Sequence, residues 1–189
     1  MATEVKATSR ERLLEAAATL ACREGVGVGV EAVCKAAGVS KRSMYQLFES
    51  KGDLLAASLE RLAASYAASL LPGADHRRSA RERVLHVFEQ LESQAGAPGF
   101  RGCAYLTVQM ELKDESHPAS RVARRVKGDL EAFFRAEAAR GGARDPDLLA
   151  RQLTLVFDGA GARGGIGADS LPGLIAPTVV TLLDAAELR

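Results

Sequence analysis

Residues 30–53, VEAVCKAAGVSKRSMYQLFESKGD, constrain this chain more than any other stretch. Val30, Val33 and Cys34 share one face of a first short helix. Gly38 can adopt the left-handed conformation that ends a helix. Ser40 stands where an N-cap belongs, its hydroxyl free to accept from an early backbone N–H. From Lys41 a second helix restarts, with Met44, Leu47 and Phe48 as its inner face. Helix, glycine-bearing turn and helix is the arrangement that sets a second helix into a DNA major groove.

The rest of the chain reads as one helical body. Helix one is capped at Thr8 or Ser9 and ends near Gly25, after a loose arm at residues 1–7. Residues 25–29 alternate Gly and Val. With three glycines and no partner strand, they read as an extended connector. Gly29 gives helix two a glycine cap only, with Glu31 offsetting the helix dipole. Ser50 caps helix four over 51–71, and Pro72-Gly73 stops it. A polar linker at 74–79 carries His76. Helices follow at 80–95, at 100–112, and from Pro118 to about residue 140, with Arg121, Arg124, Arg125 and Lys127 outside. Asp145 and Pro146 open an eighth helix through cap and N1 positions, and it fades into a flexible loop at 159–167. Ser170 caps a last helix at 171–188, kinked at Pro177. The expected class is all-α, with about nine helices.

A hydrophobic fraction of 47% supplies a core, and a net charge of +1 is not globally basic. Nucleic-acid binding therefore has to come from a local patch. Cys22, Cys34 and Cys103 have no paired spacing, which predicts buried thiols rather than a disulfide framework or zinc site. The polar N-terminus does not read as a signal peptide, and no window reaches the roughly 18 apolar residues of a membrane span. A cytoplasmic protein without membrane contact is expected.

Ala37-Gly38-Val39-Ser40, Tyr45, Phe48, Ser50-Lys51 and Leu54-Leu55, behind an amphipathic helix ending in glycine, together resemble the DNA-binding head of tetracycline-repressor-like (TetR-like) transcriptional regulators. The resemblance implies a homodimer. Residues 1–50 would form a DNA-binding head, and residues 51–189 a ligand-binding and dimerisation domain. The segment PGFRGCAYLTVQMEL is similar to a sixth helix found in a subgroup of these regulators. The sequence departs from the family pattern at Gly29, where a Thr or Ser cap is usual, at Cys34 in place of Ala, and at Arg42 in place of a small residue.

The expected DNA-contacting set is Ser40, Lys41, Arg42, Ser43, Tyr45, Gln46 and Lys51. Arg42 suits the O6 and N7 atoms of a guanine, and Gln46 suits an adenine. The resemblance implies that Tyr45 and Lys51 hold phosphates, aided by the N-terminus of helix four. In the body, Phe88, Leu91, Phe100, Cys103, Leu106, Met110, Leu130, Phe133, Phe134 and Phe157 are expected to line a small-molecule pocket. Tyr105, Gln109 and Glu111 would be its polar anchors. Cys103, beside Arg101, is a candidate sensor thiol. Leu149, Leu153, Val156, Ile175, Val179 and Leu182 would pair the last two helices of two subunits. His76, His86 and His117 lack metal-ligand spacing, so no metal or other cofactor is expected. Without G-x-S-x-G, a phosphate-binding loop or H-E-x-x-H, the chain does not read as an enzyme. The expected function is a repressor released from its operator by a small molecule. The alternative is a helical small-molecule sensor without DNA affinity.

Overall fold

The computed structural model describes residues 7–73, 77–168 and 171–189. The arm before residue 7, His76 and the Ser170 cap lie outside the described residues. Among those described, nine helices and no strand form: α1 Ser9–Glu24, α2 Val30–Ala37, α3 Lys41–Leu47, α4 Lys51–Leu70, α5 Ala80–Ala95, α6 Ala104–Leu112, α7 Pro118–Arg140, α8 Pro146–Gly165 and α9 Ile175–Ala185. The all-α expectation holds.

Most helix starts follow from capping chemistry. Thr8 and Glu11 make a reciprocal capping box on α1, and Ser79 and Glu82 make the same box on α5. Asp145 accepts from Leu148 N–H, and Pro146 takes N1 of α8. Gly29 caps α2 without a side chain, as its sequence implies.

Four elements differ from the periodicity. α6 starts at Ala104 rather than at residue 100, because Gly99 and Gly102 both hold φ +83 and keep the intervening chain out of the helix. α8 runs to Gly165, so the glycine-rich stretch is mostly helix rather than loop. A Cβ at Gly165 would stand 2.7 Å from the Arg101 carbonyl, so glycine there permits close backbone packing. α9 begins at Ile175, which places Pro177 in the first turn, where no N–H is required, rather than in the helix interior, where a kink is expected. α3 ends at Leu47 because Phe48 turns to φ −141 and ψ 133. Phe48 still enters the core, but Leu47 is 42% exposed and not part of the inner face.

The chain forms two compact units. One takes the chain up to Ala63 together with Thr107–Arg124, and the other takes Ala64–Leu106 and Arg125–Arg189. The core of the first gathers Leu13, Leu14, Ala17, Val33, Cys34, Ala37, Met44, Phe48 and Leu54. The core of the second is built by α5, α7, α8 and α9 around Phe88, Phe134, Phe157, Leu153, Val179 and Leu183. Phe88 stacks on Phe134 at 5.6 Å and meets the edge of Phe157 at 6.2 Å.

Candidate nucleic-acid interface

α3 is seven residues long, about two turns, and only Met44 on it is buried. Its stability therefore comes from its caps and from Met44 and Phe48 packing beneath it. Gly38 takes φ +61 and ψ 38, and Val39 N–H reaches Cys34 carbonyl at 3.0 Å, closing the turn from α2. Ser40 Oγ accepts from Ser43 N–H at 3.0 Å, and the two serine hydroxyls stand 2.8 Å apart. Arg12 of α1 ties the end of α2 in place, its Nε donating to Ala37 carbonyl at 3.0 Å. Arg10 lies over the Phe48 ring at 5.4 Å.

On this frame Lys41, Arg42, Tyr45 and Gln46 are exposed together, and Ser43 is half-buried. Lys41 pairs with Glu31 of α2 at 3.2 Å. Arg42 and Gln46 have no side-chain partner among the described residues. Lys51 lies apart from the set: its Nζ donates to Val26 carbonyl at 2.6 Å, in the connector between α1 and α2. Ser50 caps α4, accepting from Asp53 N–H at 3.1 Å and donating to Asp53 Oδ2 at 2.7 Å.

The predicted pocket residues are placed unevenly. Phe88, Leu91, Leu130, Phe134 and Phe157 are fully packed in the core of the second unit, and Phe100 and Phe133 flank it. Cys103 and Tyr105 are buried and Leu106 is half-buried. Met110 is 59% exposed and does not face a core. Gln109 borders a cleft of about 220 Å³ with Lys113, Ser120 and Arg124. Glu111, expected as a polar anchor, has its Oε2 accepting from Val26 N–H at 2.7 Å.

Three polar residues of the body escaped the sequence reading. Tyr66 Oη lies 3.3 Å from Cys103 Sγ, and its ring meets Tyr105 at 4.9 Å. Burial, then Cys103, Asp158 and Tyr105, push the Tyr66 phenol far above its usual range, so it stays protonated. Lys127, expected outside, is 8% exposed, paired with Asp158 and held 4.8 Å over the Phe157 ring. Its spacing was readable: Ala123, Val126, Lys127, Leu130 and Phe134 share one stripe of α7.

A short, doubly capped helix presenting arginine, glutamine and tyrosine outward behind a glycine turn defines a helix-turn-helix DNA-binding protein. Residues 13–58 match the family model of bacterial regulatory proteins, tetR family. A TetR-type transcriptional regulator from Streptomyces avermitilis is 70% identical, with a TM-score of 0.95 over 97% of this chain and 100% of that one. The chain therefore belongs to the TetR family of transcriptional regulators. A TetR-family transcriptional regulator from Streptomyces coelicolor is 27% identical, with a TM-score of 0.80 over 94% and 93% of the two chains. A TetR regulator from Chloroflexus aurantiacus, 24% identical with a TM-score of 0.79 over 93% and 94%, shares the fold. Comparison with curated protein sequences gives no match. Among the described residues no helix is long and apolar enough to cross a membrane.

Proposed function

We propose that the chain is a cytoplasmic repressor that leaves its operator when a small molecule occupies its body. The exposed face of α3 carries this reading. Arg42 and Gln46 stand there without side-chain partners among the described residues, available for base edges, and Ser40, Ser43, Tyr45 and Lys41 border them for phosphates. Lys51 keeps donors beyond the one spent on Val26, and it sits in the first turn of α4, where the helix dipole favours a phosphate. DNA binding is assigned to residues 1–50, and effector binding and dimerisation to residues 51–189.

Two copies pair through α8 and α9. Leu149, Leu153, Ile175 and Val179 are spent on the chain's own core and leave the pairing surface. Leu148, Leu155 and Leu174 are exposed, and a cleft of about 230 Å³ lies beside Leu148 and Leu182, which supports this face. A two-fold pair of heads then meets successive major grooves. An effector favouring a conformation with another head spacing releases the operator by population shift. Tyr66, Cys103, Tyr105, Lys127 and Asp158 are buried or half-buried polar groups in an otherwise apolar body, and they are the groups suited to orient such a molecule.

Selection of duplexes from a random library with the purified full chain tests the reading. Enrichment of a pseudo-palindromic site, bound more tightly than random duplex in about 0.15 M salt, is the expected result. Equal affinity for all duplexes would remove the operator claim.

A further inference from the structure

We infer that Glu111 is a positioning residue for DNA binding, fixing the connector from which α2 and α3 are delivered to the duplex; the inference rests on the DNA-binding reading above. Both backbone polar groups of Val26 are held by charged side chains. Glu111 Oε2 accepts from its N–H at 2.7 Å, and Lys51 Nζ donates to its carbonyl at 2.6 Å. Val26 itself is buried. Charge-assisted bonds to a carboxylate and an ammonium are the stronger kind.

The connector is shaped for this grip. Gly25 holds φ +85, and a Cβ there would stand 2.7 and 2.8 Å from the two Glu111 oxygens. Glycine is thus needed twice over at that position, for its backbone angle and for the approach of the carboxylate. The far end of the helix pair is held from the same segment. The His117 ring packs on Gly52 at the start of α4, where an added Cβ would meet Nε2 at 3.1 Å. His117 Nδ1 is fixed in turn by Ala119 N–H at 3.1 Å. α2 and α3 are therefore suspended between residues 26 and 52, and Glu111 and His117 of the Thr107–Arg124 segment touch both points. α2 has no side-chain cap at Gly29, and the Val26 grip lies three residues before that position.

The sign of the effect separates positioning from charge. Glu111 is an acid in a DNA-binding unit, and deleting an acid strengthens duplex binding through the phosphates. Losing a positioning residue weakens it. The experiment measures affinity of the full chain for its own selected duplex by fluorescence anisotropy, together with hydrogen exchange at the Val26 amide. Glu111→Ala is expected to speed Val26 exchange and to weaken the selected duplex roughly tenfold. Glu111→Gln keeps an acceptor oxygen and is expected to recover most of the affinity. Gly25→Ala is expected to reproduce the loss with Glu111 intact. Glu115→Gln, an exposed acid on the same segment, serves as the charge control and is expected to leave affinity unchanged or slightly tighter.

Wild-type or tighter binding by Glu111→Ala would overturn the inference, as would unchanged Val26 exchange in that variant. A Glu111→Ala protein that has lost helical circular dichroism is replaced as evidence by Glu111→Gln and Gly25→Ala, both expected to fold. If those two bind alike, the inference fails. A wild-type chain that selects no duplex sinks the operator reading and this inference with it, and it is told apart because no variant is then involved.

Discussion

α3 and α7 both carry runs of cations, and the two runs have opposite fates. On α3, Lys41 and Arg42 face solvent beside the side chains suited to bases and phosphates. On α7, Arg121, Arg124 and Arg125 stay exposed while Lys127 turns inward to Asp158 and the face of Phe157. The difference lies in what the helix rests on. α3 has one buried residue and two turns, so it offers little to cover a charge. α7 is 23 residues long and lies in a stripe of apolar neighbours, where a lysine stem packs and its ammonium must find a partner. Under the proposed reading, the exposed cations of α3 are available for DNA, and the buried lysine of α7 serves stability or a ligand.

The largest expected effect comes from breaking the buried member of this comparison. Lys127→Ala leaves Asp158 without its cation in a largely buried setting and is expected to lower unfolding free energy by about 3 kcal/mol. Lys127→Met keeps the stem packing but strands Asp158 as well, and is expected to lose nearly as much. Denaturant unfolding of both variants checks this. A Lys127→Met chain as stable as the wild type would mean that packing of the stem, and not the ion pair, is what α7 needs.

The exposed member acts on another quantity. Arg42→Ala is expected to weaken operator binding by roughly 1–3 kcal/mol and to relax preference at one base pair, with unfolding unchanged. Lys51→Ala is expected to weaken selected and random duplexes alike and to reduce the salt slope. Affinity titrations on both duplex types at two salt concentrations measure this. An Arg42→Ala chain that keeps its base preference would place specificity elsewhere on α3.

Much of the frame was legible because it depends on neighbours in sequence. Thr8, Ser40, Ser50 and Asp145 start helices through bonds three residues away, and Gly38 makes its turn for the same reason. Pro177 misled because its effect depends on where the helix starts. In the interior it would kink, but three residues past Leu174 it costs nothing. Lys127 and Glu111 could not be placed from local pattern, since their partners lie 31 and 85 residues away. For Lys127 the stripe spacing was present and its charge argued against it. For Glu111 only the glycine at position 25 hinted that something approaches the connector. Leu47 follows Met44 at helical spacing and still faces solvent, because a two-turn helix ending at Phe48 has a narrow inner face.

The smallest expected effect sharpens the comparison most, because it concerns the same kind of pair. Lys41 and Glu31 stand 3.2 Å apart with side chains 55% and 84% exposed. An ion pair this open contributes roughly 0–1 kcal/mol and is screened in salt. Glu31→Gln is therefore expected to change unfolding free energy by less than about 0.5 kcal/mol. It also releases Lys41 and removes a negative charge close to α3, so duplex binding is expected to tighten severalfold at low salt, with the gain fading as salt rises. Anisotropy titrations at about 0.05 and 0.3 M salt would show this. If binding does not tighten although Lys41→Ala weakens it, Lys41 already reaches the phosphate while paired. The exposed pair would then be a guide that orients the ammonium rather than a competitor for it, and exposure alone would no longer separate the cations of α3 from Lys127.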